Sequence, residues 1–266
     1  MAVRRTTASK AAPRVAHANE GYWHLSTRPL HALCVVTPLI IVYEILSLRH
    51  LVNQEAMTRQ LIKAESLLSR FVELFGVAGA VAPGLAIITI LLVWHLVNKD
   101  RWRVQPPVLG GMVIESALWA IPLLVLGALL QRAMAVTEVL PLVAPNAFAG
   151  ESLGARVAIS LGAGLYEELL FRLVAIALLH FLARDLLKLG QYTAAAFAII
   201  LSALAFSLYH DVWSGGSGPG GFRLGDAIFY FAAGVYFAWI YLQRGFGIVV
   251  LAHAIYDLIV LIPLNR

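Results

Sequence analysis

The sequence predicts an all-α protein: a polytopic transmembrane helical bundle of about seven spans plus one interfacial amphipathic helix. Composition is the first reason. Of 266 residues 60% are hydrophobic and only 13% charged, and the mean hydropathy of +0.80 exceeds that of ordinary soluble domains. Periodicity is the second: apolar runs near the ~20 residues needed to cross a hydrocarbon layer recur at 29–48, 72–98, 107–130, 156–182, 191–210, 226–243 and 246–264. The third is what separates them, since no long repeat and no stretch resembling a soluble domain intervenes. Residues 1–28 read as a polar N-terminal tail and 29–266 as a single transmembrane domain.

Taken in order, the tail up to Thr27 has dispersed arginines and neither a short apolar core nor a small-residue cleavage site. It predicts no removable signal peptide, so the first apolar run stays as an anchor. Cys34, the lone cysteine, lies in that run and makes neither an intrachain disulfide nor a thiolate metal site. Between the first two runs, "QEAMTRQLIKAESLLSRF" repeats Met57, Leu61, Leu68 and Phe71 at helical spacing among charges, as an interfacial helix does. Pro38, Pro83 and Pro122 fall within spans and predict kinks, and "SGGSGPGGF" (214–222) predicts a flexible loop. Trp23, Trp94, Trp102 and Trp213 sit near span boundaries, as in an aromatic belt, and His95 and His180 lie at span ends, where an interfacial place is expected.

The net charge of +5 does not indicate nucleic acid, because the basic residues are scattered over the tail and short loops instead of forming one face. Arg4, Arg5, Lys10, Arg14, Arg28, Lys99, Arg101, Arg103, Arg184, Lys188 and Arg244 fall on one side of a seven-span chain, which predicts that this side, and the N-terminus with it, is cytoplasmic. The opposite side carries Arg132, Arg223, Arg266 and four basic residues around the amphipathic segment.

Several polar residues stand where lipid makes them expensive. A charge at a helix centre costs roughly 2.5–3.5 kcal/mol on insertion scales, while each Leu or Ile returns about 0.3–0.6. "GLYEELLFRL" nevertheless places Glu167, Glu168 and Arg172 inside the fourth span. Glu168 and Arg172 are four apart and share a face, so they can pair. Glu167 points about 100° away and needs another partner. "FSLYH" sets Phe206 and His210 on one face, and "HAIYD" does the same for His253 and Asp257. Singly, His210 reads equally as an interfacial histidine and His253–Asp257 as an internal hydrogen-bonded pair. Occurring together with the glutamates, they point to a shared centre. Glu44 and Glu115 are further intramembrane carboxylates, read as protonated packing groups before cavity residues or partners of Arg172, and Tyr166 as packing before a hydroxyl donor.

"EELLFR", "FSLYH" and "HAIYD", in this order on three spans, resemble the EExxxR, FxxxH and HxxxN/D signature of the CAAX-protease and bacteriocin-processing membrane proteins, the CPBP family. The resemblance covers roughly 156–264. It implies an all-helical membrane fold in a bacterial plasma membrane and an intramembrane endopeptidase acting on a membrane-associated peptide or lipidated protein. The family also includes members linked to bacteriocin maturation or self-immunity, and members with no demonstrated proteolysis; the alternative is that the same buried polar cluster serves a non-proteolytic scaffold or a transporter, since intramembrane ionisable residues also mark transport paths. Carried over by position, Glu168 or Glu167 activates water, Arg172 orients the carboxylates, and His210 and His253 complete the centre. Asp257 departs from the common Asn: an ionised Asp cannot donate to an oxyanion but can bind metal or orient His253. Two mechanisms fit, one with Zn²⁺ held by Glu168, His210, His253 and Asp257, one with a desolvated glutamate and His210 as base and no metal.

Depth raises one more expectation. At 1.5 Å per residue, Glu168 and His253 reach similar depths from opposite sides, but His210 falls at the far edge of its span. Either that helix starts outside the hydrocarbon and tilts, or the centre opens toward the 211–225 loop. Of other intramembrane protease patterns, "GGSG" (215–218) fits a serine-protease GxSG motif but lies in the loop, "RLGD" (223–226) lacks the first glycine of GxGD, and no HExxH occurs.

Overall fold

Prolines, a serine and a glycine set where the long helices begin and end. Pro29 opens α2 (Pro29–His50) and Pro106 opens α5 (Pro106–Ala135), where the missing N–H has no helical partner to lose. The Ser152 hydroxyl caps α6 (Leu153–Gly162) by accepting from Ala155 N at 3.1 Å. Gly245 turns the chain between α9 (Leu224–Arg244) and α10 (Phe246–Leu261) with φ +80° and ψ 177°, a conformation that only glycine adopts without strain. The computed structural model describes residues 21–53, 58–59, 63–73, 82–135, 150–210, 212–213 and 221–262.

The remaining elements are the short α1 (Tyr22–Leu25), α3 (Lys63–Glu73), α4 (Ala82–Asn98), α7 (Ile176–Phe181) and α8 (Gln191–Tyr209). An antiparallel pair of two residues each, Val52–Asn53 with Thr58–Arg59, is the one exception to helix among the described elements. Among the described residues four helices are long and apolar enough to span a bilayer: Pro29–His50, the Pro106–Ala133 stretch of α5, Gln191–Tyr209 and Leu224–Arg244. Shorter apolar helices cover Pro83–Asn98 and Phe246–Leu261. The protein is an integral membrane protein, and its lipid-facing residues, such as Ile41, Ile45, Leu118 and Leu129, are exposed apolar side chains with no core to enter.

The expected fourth span is helical without a break from Leu153 to Leu186, but not α-helical throughout. Its bonding widens to i→i+5 over Ala163–Glu167, Leu169–Ala175 and Leu182–Leu186. Wide turns of this kind rotate the side-chain faces on either side of them relative to a uniform helix. The span packs on α10, and Gly164 is the point of closest approach: a Cβ there would lie 2.8 Å from both the Val250 carbonyl oxygen and the Ala254 Cβ. Gly164→Ala is therefore expected to destabilise the fold by about 1–3 kcal/mol, since backbone cannot yield as a side-chain tip can. Thermal unfolding in detergent checks this.

The amphipathic helix is present as α3, although Met57 and Leu61 of the expected segment lie outside the described residues. It is not wholly surface: Ala64 and Glu65 are fully buried, and Tyr43 of α2 donates to Glu65. At the opposite end of the bundle, Arg244 grips Glu115 with two bonds, Nε to Oε1 at 2.5 Å and Nη2 to Oε2 at 2.9 Å. Tyr22 and Trp119 also donate to Glu115, and Arg244 reaches the Ser26 hydroxyl and stacks over Trp23. Burial and the neighbouring carboxylate push the Tyr22 phenol well above its ordinary pKa. Glu115 is thus an ion-paired clamp between α5, α9 and α1, which corrects its reading as a protonated packing group or a partner of Arg172. His95, near the end of α4, is fully buried with its ring edge-on to Trp102.

Candidate active site

The wide turns flank Glu168, and the two adjacent glutamates face different neighbours. Glu168 is fully buried and divided between two partners: Oε1 meets His253 Nδ1 at 2.7 Å, and Oε2 lies 3.0 Å from Arg172 Nε. The second contact is an ion pair without hydrogen-bond alignment. Arg172, buried as well, rests its guanidinium over the faces of Phe206 and Phe237, 4.3 and 5.4 Å from the ring centres. That arrangement lowers the cost of an arginine in the membrane interior by supplying a counter-charge and two polarisable surfaces.

Glu167 turns toward a cavity. Its Oε2, buried and without a hydrogen bond, lies 3.8 Å from His210 Nε2 and 3.9 Å from His253 Nε2. Those separations are too long for direct bonds and short enough for one water to touch two of the groups. His210 is the first residue beyond α8, where the chain turns extended. Its Nδ1–H donates to the Phe206 carbonyl at 2.8 Å, which leaves Nε2 on the cavity side. The i, i+4 spacing of "FSLYH" thus orients the imidazole by main chain, while Tyr230 stacks on it at 3.8 Å and 16°. His253 lies parallel to Phe237, with Asp257 Oδ2 3.6 Å from its Nε2.

The cavity measures about 200 Å³ and is lined by Glu167, His210, His253 and Asp257 together with apolar residues including Ile159, Phe229, Val260 and Leu261. It lies toward the end of the bundle where α6 and α9 begin and α8 and α10 end. All six side chains expected at the centre therefore meet, Glu167, Glu168, Arg172, His210, His253 and Asp257, although Glu168 and Arg172 stand behind the cavity wall and not on it.

The arrangement suits water activation by a carboxylate and an imidazole. Among the described residues no three His, Cys, Asp or Glu side chains converge closely enough to hold an ion, and Glu168, expected as a Zn²⁺ ligand, has both oxygens turned to other partners. No step below passes through a metal.

Other expectations resolve separately. Tyr166 is fully buried and donates to Glu44 at 3.3 Å, away from its neighbouring glutamates. Asp226 of "RLGD" is held by Arg223 at 2.7 Å. The "GGSG" stretch lies outside the described residues. Two contributors escaped sequence reading, Tyr230 and Tyr209, since an aromatic in a membrane helix carries no positional signal of its own.

Residues 149–259 match the sequence model of the family described as type II CAAX prenyl endopeptidase Rce1-like. That segment is similar to the CAAX-protease family. Its bounds enclose the glutamate pair, Arg172, His210, His253 and Asp257, so the matched segment contains every residue of this cluster. Comparison with curated proteins and comparison with solved structures each found no match.

Proposed function

We propose that the protein is an intramembrane endopeptidase in which Glu167, assisted by His210, activates a water for attack on a peptide carbonyl. One observation carries the reading: a buried, unbonded glutamate oxygen faces two imidazole nitrogens across a gap of one water, at the wall of an otherwise apolar cavity. Water held there gives its proton to Glu167 as its oxygen bonds to the carbonyl carbon. The carbonyl oxygen becomes an oxyanion, which the Nε2–H of a protonated His253 is placed to meet. Collapse breaks the C–N bond, and the departing nitrogen takes a proton from the Glu167–His210 pair. Glu168 touches no substrate in this scheme; with Arg172 it holds His253. Asp257, unable to donate when ionised, supplies negative charge beside His253 Nε2.

The apolar lining favours a hydrophobic or lipidated peptide. The cavity lies at the end of the bundle opposite Lys99, Arg101, Arg103 and Arg244, so the positive-inside rule puts it toward the extracytoplasmic side. Reconstituted protein should cut a fluorogenic hydrophobic peptide, prenylated or not, and His210→Ala should remove that activity while leaving the thermal unfolding profile in place. Transport of the peptide into proteoliposomes with every bond intact would replace the endopeptidase reading with that of a carrier.

A further inference from the structure

Helix α3 lies outside the CAAX-protease segment, yet its first turn reaches the reaction centre through Tyr209. The Ala64 backbone N–H donates to the Tyr209 hydroxyl at 2.8 Å. That N–H is one of the first-turn donors that a helix cannot satisfy internally, so the hydroxyl serves as its acceptor. The same hydroxyl is among the groups that act on the Glu167 carboxylate, and its single proton is left to turn toward that carboxylate once its lone pair has accepted from Ala64. The ring is fixed too, edge-on to Phe171 at 5.3 Å and to His210 at 5.2 Å, with the Lys63 ammonium 5.9 Å above it. Tyr209 therefore packs against His210, acts on Glu167, and is itself set by α3.

What holds α3 in that place is a buried polar contact of its own. Glu65, fully buried in the residue next to Ala64, accepts from Tyr43 of α2, and Tyr43 packs edge-on against Tyr166 at 5.2 Å, beside Glu167 in sequence. A glutamate at this depth commits the helix to one seat, because leaving it would bury an unsatisfied carboxylate or require α3 to lift off entirely.

We propose that Tyr209 is a positioning residue for Glu167, and that α3 sets it through the Ala64 N–H. The proposal rests on the endopeptidase reading above. A single neutral donor to a carboxylate, in a dry site, aims the carboxylate's free oxygen toward His210 and opposes rotation away from the water. Loss of that donor leaves the substrate's apolar contacts untouched and misplaces only the base, so the effect belongs in kcat and not in KM.

The test uses the full chain in proteoliposomes with the fluorogenic hydrophobic peptide. Tyr209→Phe keeps the ring and removes the hydroxyl; kcat should fall about tenfold, as for one hydrogen bond to a charged group, with KM within about twofold of wild type. Tyr43→Phe, which loosens the seat of α3 without touching Tyr209, should lower kcat severalfold in the same way. The double variant should be no slower than Tyr209→Phe alone, since both changes act through one contact. Wild-type kcat in Tyr209→Phe, or losses that multiply in the double variant, overturn the positioning role while leaving the endopeptidase reading standing. If Tyr209→Phe fails to fold, unchanged kcat in Tyr43→Phe overturns it, and reduced kcat at constant KM supports it. A wild-type protein that cuts no peptide removes the endopeptidase reading, and the role of Tyr209 with it.

Discussion

Glu167→Gln is expected to lower the cleavage rate by roughly 10²–10⁴-fold, the range for loss of a positioned general base, with little change in stability. The substitution is isosteric and removes only the ability to take a proton. The partners of Glu168, which are His253 at 2.7 Å and Arg172 at 3.0 Å, do not involve Glu167, so the architecture behind the cavity wall persists. Single-turnover cleavage of the hydrophobic peptide, with thermal unfolding measured on the same preparation, separates the two effects. Glu168→Gln provides the contrast: it leaves Arg172 without its counter-charge, so it should lose stability along with rate. If Glu168→Gln abolishes cleavage in a fully stable protein while Glu167→Gln retains it, the roles assigned to the two glutamates are reversed.

Arg172→Met is expected to produce the largest loss of stability of any substitution considered, about 3–5 kcal/mol, as for breaking a buried pair by removing one partner. Glu168 is fully buried, and with Arg172 gone its remaining neighbour is His253. Combining Arg172→Met with Glu168→Gln should recover much of the loss, because the charge that Arg172 compensates is then removed with it. Arg172→Lys should not substitute well: an ammonium cannot lie flat over Phe206 and Phe237 while facing Glu168. Unfolding of the single, double and lysine variants in detergent checks the ranking. Equal stability for the single and double variants would mean that Glu168 is not the charge that Arg172 compensates.

Much of the site was legible because charges inside an apolar run are costly and therefore conspicuous. Glu168 and Arg172 pair at the i, i+4 spacing, and Glu167 goes elsewhere, as its angular offset required. Glu115 was equally conspicuous, yet its partner is Arg244, 129 positions away, and nothing local distinguishes that partner from Arg172. His95 and Glu65 are buried although one lies near a span end and the other on an amphipathic helix, because burial depends on which helix lies alongside. Tyr209 and Tyr230 were invisible because a tyrosine costs little in either setting.

Taken alone, the sequence determined that the chain is a helical membrane protein and which ionisable side chains its bilayer interior must shelter, since hydropathy and charge cost are properties of the residues themselves. Only the tertiary structure decided which glutamate faces the cavity and which stands behind it, and that α3 reaches the centre through Tyr209. Those outcomes depend on wide helical turns around Glu168 and on contacts between distant helices. Such contacts are set by the packing of the whole bundle, and no local spacing encodes them.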